Sequence, residues 1–175
     1  MKLHNKKEIA ISTEAHGLNP VFSPPEPGHA RIAFIEPVPG KSVLPERRFD
    51  DNLLIIKSTD VDYAQFGLFT QIGLSLGFSL DTFYKRLFLA NNRSEVYPYV
   101  PMSLTDALAI VDFTEDAVKR GINHITISCE FGKSRSVSTA NVMRAFLAGE
   151  DFPEKAVNQY VRDLVVKAVK KRIKK

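Results

Sequence analysis

A cysteine followed six positions later by an arginine, and then by a serine, can attack an electrophile and hold an oxyanion in one place. The segment Cys129-Glu130-Phe131-Gly132-Lys133-Ser134-Arg135-Ser136 is such a set. Phosphoryl transfer needs a nucleophile, a cradle for three anionic oxygens and a proton for the departing group, all held in line. Cys129 would be the nucleophile. The five residues from Glu130 to Ser134 are enough to wrap a loop around a small tetrahedral anion and point successive backbone N–H groups inward. Gly132 permits the tight curvature. The same N–H groups, the N-terminus of a following helix and the guanidinium of Arg135 would stabilise a thiolate and lower the pKa of Cys129. Arg135 can form two parallel hydrogen bonds to equatorial oxygens, which a lysine cannot reproduce. Ser136 places a hydroxyl where donation to sulfur helps it leave when water hydrolyses a phosphocysteine. Glu130 reads as a structural member of the loop.

Given a cysteine, Gly at +3, Arg at +6 and Ser or Thr at +7 occur together by chance roughly once in a few thousand cases at average residue usage. The competing account of the same residues is a small buried hydrophobe at a strand end, with Ser134 merely capping the next helix. The segment resembles the signature loop of the protein tyrosine and dual-specificity phosphatases, His-Cys-x5-Arg-Ser/Thr, and within that group it is similar to compact bacterial and phage members. The likeness covers about residues 30 to 57 and 102 to 148. It implies a phosphatase-like α/β fold and hydrolysis of phosphomonoesters through a phosphocysteine, without metal or cofactor. Four scattered histidines without ligand spacing agree with that. Two departures stand out. Ser128 occupies the place of the family histidine, which removes one contributor to loop geometry and thiolate stabilisation. The stretch from Asp62 to Ser103 is long, and residues 63–101 read as an insertion, uncharged from Tyr63 to Leu80, that forms a lid or a partner surface.

In this family an aspartate on an upstream loop protonates the leaving group, a general-acid step. Asp60 and Asp62 follow the apolar run ending at Ile56, which is the place the resemblance implies. Asp60 is the first choice and Asp62 the alternative. A solvated turn aspartate is an equally ordinary explanation for either. Asp106 and Asp112 fall within a predicted helix, where capping or solvent exposure accounts for them.

The elements that must carry these groups are legible as alternating strand and helix patterns, which predicts a mainly parallel central sheet flanked by helices, with the loop between a strand and a helix. Arg31–Ile35 and Asn52–Ile56 are apolar runs bounded by turn residues and read as buried strands. Ile122–Ser128 reads as the strand that delivers the chain to Cys129, and about 134–147 as the helix after the loop, stopped by Gly149. Ser103-Leu-Thr-Asp106 is a capping-box pattern for a helix ending at Gly121. A short helix is expected over 81–90, and a last helix starts at Pro153, with Val157, Val161, Leu164, Val165 and Val169 forming its stripe. Residues 1–28 are polar, end in Ser-Pro-Pro-Glu-Pro-Gly and read as a flexible arm, leaving 29–175 as one phosphatase-like domain.

At 175 residues with 44% hydrophobic and 25% charged content, the chain suits one α/β domain. One cysteine excludes an internal disulfide, and the polar first eight residues lack a secretory pattern, so the expected compartment is the cytoplasm. No uninterrupted apolar run suggests a membrane span. The formal charge of +4 is concentrated at one end. Val165 to Lys175 holds six of the 24 basic groups, and the eighteen others face twenty acids, a remainder of −2. The high pI therefore describes a basic C-terminal helix, whose simplest explanation is solvation. The expected partner is a phosphorylated protein or peptide. Lys133 and the basic helix keep open a polyanionic substrate, a phosphoinositide headgroup or an RNA 5′ end, and nucleic acid or anionic lipid as binding partners. Ser128 keeps open a phosphate-binding module without turnover. A rhodanese-type sulfur transferase also uses a loop cysteine, but the Arg135-Ser136 ending disfavours it.

Overall fold

A computed structural model of the chain describes residues 9–17, 25–35, 51–60 and 101–174. Its elements are β1 (Ala10–Ala15), β2 (His29–Ile35), β3 (Leu53–Lys57), α1 (Leu104–Lys119), β4 (His124–Cys129), α2 (Arg135–Ala148) and α3 (Gln159–Ile173). The strands form a four-stranded sheet in the order β1-β4-β2-β3, and every pairing in it is parallel. The result is an α/β domain with three flanking helices among the described residues.

The apolar runs form strands because their branched side chains fit a pleated surface buried on both sides. In β2 and β3, Ile32, Ala33, Phe34, Leu53, Leu54, Ile55 and Ile56 are all buried. Alternation divides them between faces. Ile32, Phe34, Leu54 and Ile56 join Ile125, Ile127 and Cys129 of β4 in the core that the helices cover. Each fully buried Ile, Leu or Phe there contributes roughly 1.5–3 kcal/mol. Helix α2 packs on β1 and β4, α1 reaches β3, and α3 lies against both helices.

Local signals set the helix ends. Ser103 Oγ accepts from the N–H of Asp106 at 3.2 Å, while the Asp106 carboxylate accepts from the Ser103 N–H at 2.9 Å, the expected capping box. Ala107, Ile110, Val111 and Phe113 of α1 are buried. Gly149 ends α2 in the left-handed conformation, φ +70°.

Two expectations need correction. Residues 1–28 are not simply an arm, because 10–15 form edge strand β1, in register with β4 from Ala10↔His124 to Ala15↔Cys129. The strand is hard to recognise because it gives one large apolar residue, Ile11, to the core and is otherwise polar or alanine. Its other face bonds across the sheet instead. Ser12 Oγ lies 2.7 Å from His124 Nε2 and 3.3 Å from Thr126 Oγ1, and Glu14 pairs with Arg31 at 3.0 Å. Arg144 of α2 donates to the Ile11 carbonyl through Nε at 3.1 Å and Nη2 at 2.7 Å. The last helix starts at Gln159, not at Pro153. Asn158 is its cap, accepting from the Val161 N–H at 2.9 Å, while the Pro153 carbonyl accepts from Arg162 Nε at 2.8 Å. Val157 is consequently 64% exposed, while Val161, Val165 and Val169 are buried. The helix expected over 81–90 and nearly all of the 63–101 insertion lie outside the described residues. Pro101, at its end, bridges to Thr59.

Candidate active site

Because the strands are parallel, the segments that follow them gather at one edge of the sheet. The alternation that buries Ile125 and Ile127 also carries Cys129 into the core side of that edge, where it is 2% exposed. The chain then turns. The Gly132 N–H donates to the Cys129 carbonyl at 3.2 Å, and Gly132 has φ +65°. A Cβ at Gly132 would lie 2.8 Å from the Ala15 nitrogen and 2.9 Å from the Glu14 carbonyl carbon. The loop therefore rests directly on the backbone of β1. The N–H groups of His16 and Gly17 prolong that contact, donating to the carbonyls of Cys129 at 3.2 Å and Glu130 at 3.1 Å. His16 Nε2 meets the Phe34 carbonyl at 2.8 Å, tying the end of β1 to β2.

The surroundings of the sulfur set its acidity. Burial pushes the Cys129 thiol up, but opposing effects prevail: the Ser136 hydroxyl at 3.1 Å, the backbone N–H groups of Ser136 and Ser134, and the Arg135 guanidinium. The net result is a pKa below the ordinary thiol value. Two of those donors belong to the start of α2, where the first N–H groups have no partner within the helix.

Ser134 occupies the N-cap position of α2, and its residue type favours capping, yet its side chain makes no capping bond. Its hydroxyl donates instead to Asp60 Oδ1 at 2.7 Å. Asn158 Nδ2 donates to the same oxygen at 2.9 Å and approaches Ser134 Oγ at 3.2 Å. Asn158 is fixed in turn by the bond from its N–H to Ser138 Oγ at 2.8 Å and by its cap on α3. Arg135 is 1% exposed. Its Nη1 donates to the Ser58 carbonyl, and its Nε lies 3.8 Å from Asp60 Oδ2. The Ser58–Asp60 segment is held from both sides, since the Ser58 N–H donates to Ile35 at 3.0 Å and Thr59 bridges Pro101.

The structure thus brings together Cys129, Ser134, Arg135, Ser136 and Asp60. Glu130 and Gly132 are half-buried, Lys133 is exposed, and Phe131 is 68% exposed. Ser128 is fully buried, and its hydroxyl finds no partner among the described residues. Asp62 lies outside the described residues. Asp106 is occupied by its cap, and Asp112 pairs with Arg172 of α3 at 3.3 Å, so neither is part of this cluster. Sequence reading passes over Asn158 because Pro153 is the more conspicuous helix start; the signal available was an Asn three residues before Val161, the first residue of the buried stripe. The Ser58 contribution is a backbone carbonyl, which residue type cannot reveal. Among the described residues, no group of three or more His, Cys, Asp or Glu side chains is placed to hold a metal ion. No helix among them is long and apolar enough to cross a membrane. Comparison with protein-family models, with curated proteins and with solved structures found no match.

Proposed function

We propose that this protein hydrolyses phosphate monoesters through a phosphocysteine at Cys129, acting on phosphotyrosine or, with dual specificity, on phosphoserine and phosphothreonine as well. The observation that carries this is the concentration of donors on one sulfur: the Ser136 hydroxyl at 3.1 Å, the N–H groups of Ser134 and Ser136 and the nearby guanidinium of Arg135. A buried structural thiol needs none of them. The resemblance of the Cys129–Ser136 segment to the tyrosine phosphatase signature supports the same chemistry.

In the first step the thiolate attacks phosphorus, an S–P bond forms and the ester P–O bond breaks. Loop N–H groups between Glu130 and Arg135, apart from that of Gly132, which is bonded to the Cys129 carbonyl, hold the equatorial oxygens together with the guanidinium as charge redistributes. The leaving oxygen takes a proton from an aspartate following β3, Asp60 or Asp62. Water then attacks phosphorus and returns a proton to that aspartate, the S–P bond breaks and inorganic phosphate departs. Ser136 donates to the sulfur as it leaves.

The test is turnover of p-nitrophenyl phosphate by the full chain. Vanadate-sensitive hydrolysis is expected, and Cys129→Ser should abolish turnover while phosphate still binds. Phosphate binding by wild-type protein without any vanadate-sensitive turnover would replace the enzyme with a phosphate-binding module.

A further inference from the structure

Asp60 is the sequence's first candidate for proton donor, but the groups around it suit another task. Its Oδ1 accepts from Ser134 Oγ at 2.7 Å and from Asn158 Nδ2 at 2.9 Å, and its Oδ2 faces Arg135 Nε at 3.8 Å. A general acid must present an O–H to the leaving oxygen, whereas these contacts all use the carboxylate as acceptor. The segment bearing it is pinned by the bond from Ser58 to Ile35 and by the Thr59–Pro101 bridge.

The partner of Asp60 matters most. Serine at an N-cap normally turns its hydroxyl onto the N–H groups of the first helical turn. Ser134 is at that position and does not. With its hydroxyl drawn to Asp60, the first N–H groups of α2 remain directed at Cys129. Asn158, 1% exposed and anchored at the start of α3, fixes the carboxylate from the other side.

We propose that Asp60 is a positioning residue and not the proton donor: together with Asn158 it holds the Ser134 hydroxyl away from the N-terminus of α2, keeping that terminus available to the Cys129 sulfur and to the anion. The catalytic part of this rests on the phosphocysteine reading above; the effect on the thiol does not.

The experiment compares Asp60→Asn with Asp60→Ala, alone and in a Ser134→Ala background, by two measurements. The first is the pH dependence of Cys129 alkylation by iodoacetamide. The second is kcat/KM for aryl phosphates whose leaving groups span a wide range of acidity. Both substitutions remove the charge, but the Asn amide oxygen can still accept from Ser134. The alkylation midpoint should therefore lie higher in Asp60→Ala than in Asp60→Asn, and this difference should vanish once Ser134 has no hydroxyl. Asp60→Ala should lower kcat/KM by about 10- to 100-fold, the size of a lost hydrogen bond to a charged group, equally for good and poor leaving groups. Asp60→Asn should recover much of that loss. The proposal is overturned if the two substitutions lose activity alike with a loss that grows for poorer leaving groups, or if the Ala–Asn difference in midpoint is absent or persists without the Ser134 hydroxyl. Should wild-type protein turn over no phosphate ester, the function proposed above fails, and the alkylation midpoints alone decide the role of Asp60.

Discussion

The acidity of Cys129 depends on a balance at one atom. Burial disfavours the thiolate, and hydroxyl, backbone and guanidinium donors outweigh it. Since the pKa lies below the ordinary value, the thiolate persists at pH values where a free cysteine is protonated, and the alkylation rate should reach its plateau at correspondingly lower pH. Removing the 3.1 Å donor with Ser136→Ala should move that profile toward higher pH, by about one unit if the bond is worth about 1.4 kcal/mol to the charged form. Gly132 tests the support beneath. Its φ of +65° and the 2.8 Å approach to the Ala15 nitrogen mean that Gly132→Ala must move either the loop or β1, with an expected loss of about 2 kcal/mol or more in chemical denaturation. Ser128 gives the opposite sign. Its buried hydroxyl has no partner among the described residues, so Ser128→Ala should raise stability by about 1 kcal/mol in the same assay. At this scale the grouping of Cys129, Gly132, Arg135 and Ser136 around one turn was legible, because a short loop between strand and helix constrains type and spacing together. It was silent on Asn158 and on the Ser58 carbonyl, which matter through three-dimensional placement and not through a local pattern.

Among the elements, those with a continuous apolar run or a paired capping signal are readable: β2, β3, β4 and α1. Element β1 is not, since an edge strand with a bonded polar face has the composition of a loop. The distinction has a measurable consequence. A dispensable arm could be removed without effect, but a chain beginning at residue 18 loses the strand on which Gly132 rests, and it should melt well below the full chain and lose thiol reactivity. Helix α3 joins packing to the candidate site through its first residue. Asn158 both caps the helix and touches Asp60, so Asn158→Ala should cost about 1–3 kcal/mol by denaturation. Its true start was hidden because proline at a helix start is a strong but not an exclusive signal, and here the Pro153 carbonyl is committed to Arg162.

For the molecule as a whole, charge is segregated: the last eleven residues, Val165 to Lys175, hold six basic groups and no acid against a remainder of −2. Part of that end is internally neutralised, because Arg172 pairs with Glu115 at 3.1 Å and Asp112 at 3.3 Å across to α1. Any attraction to RNA or anionic vesicles should then be electrostatic and largely lost between roughly 50 and 200 mM salt, as a binding titration would show. Turnover of a small aryl phosphate should follow no such dependence. The strand order carries a consequence of a different kind. The interior strand β4 lies between β1 and β2, both of which precede it in the chain, and Ser12 and His124 meet across 112 residues of sequence. During synthesis β1 and β2 emerge early but have no mutual hydrogen bonds to make, because the strand that joins them has yet to leave the ribosome. Assembly must therefore wait for the segment that ends in Cys129, and the buried thiol arrives with the piece that closes the sheet. Long-range parallel pairing of this sort is slow, and a nascent chain halted before residue 124 should show no protease-resistant core.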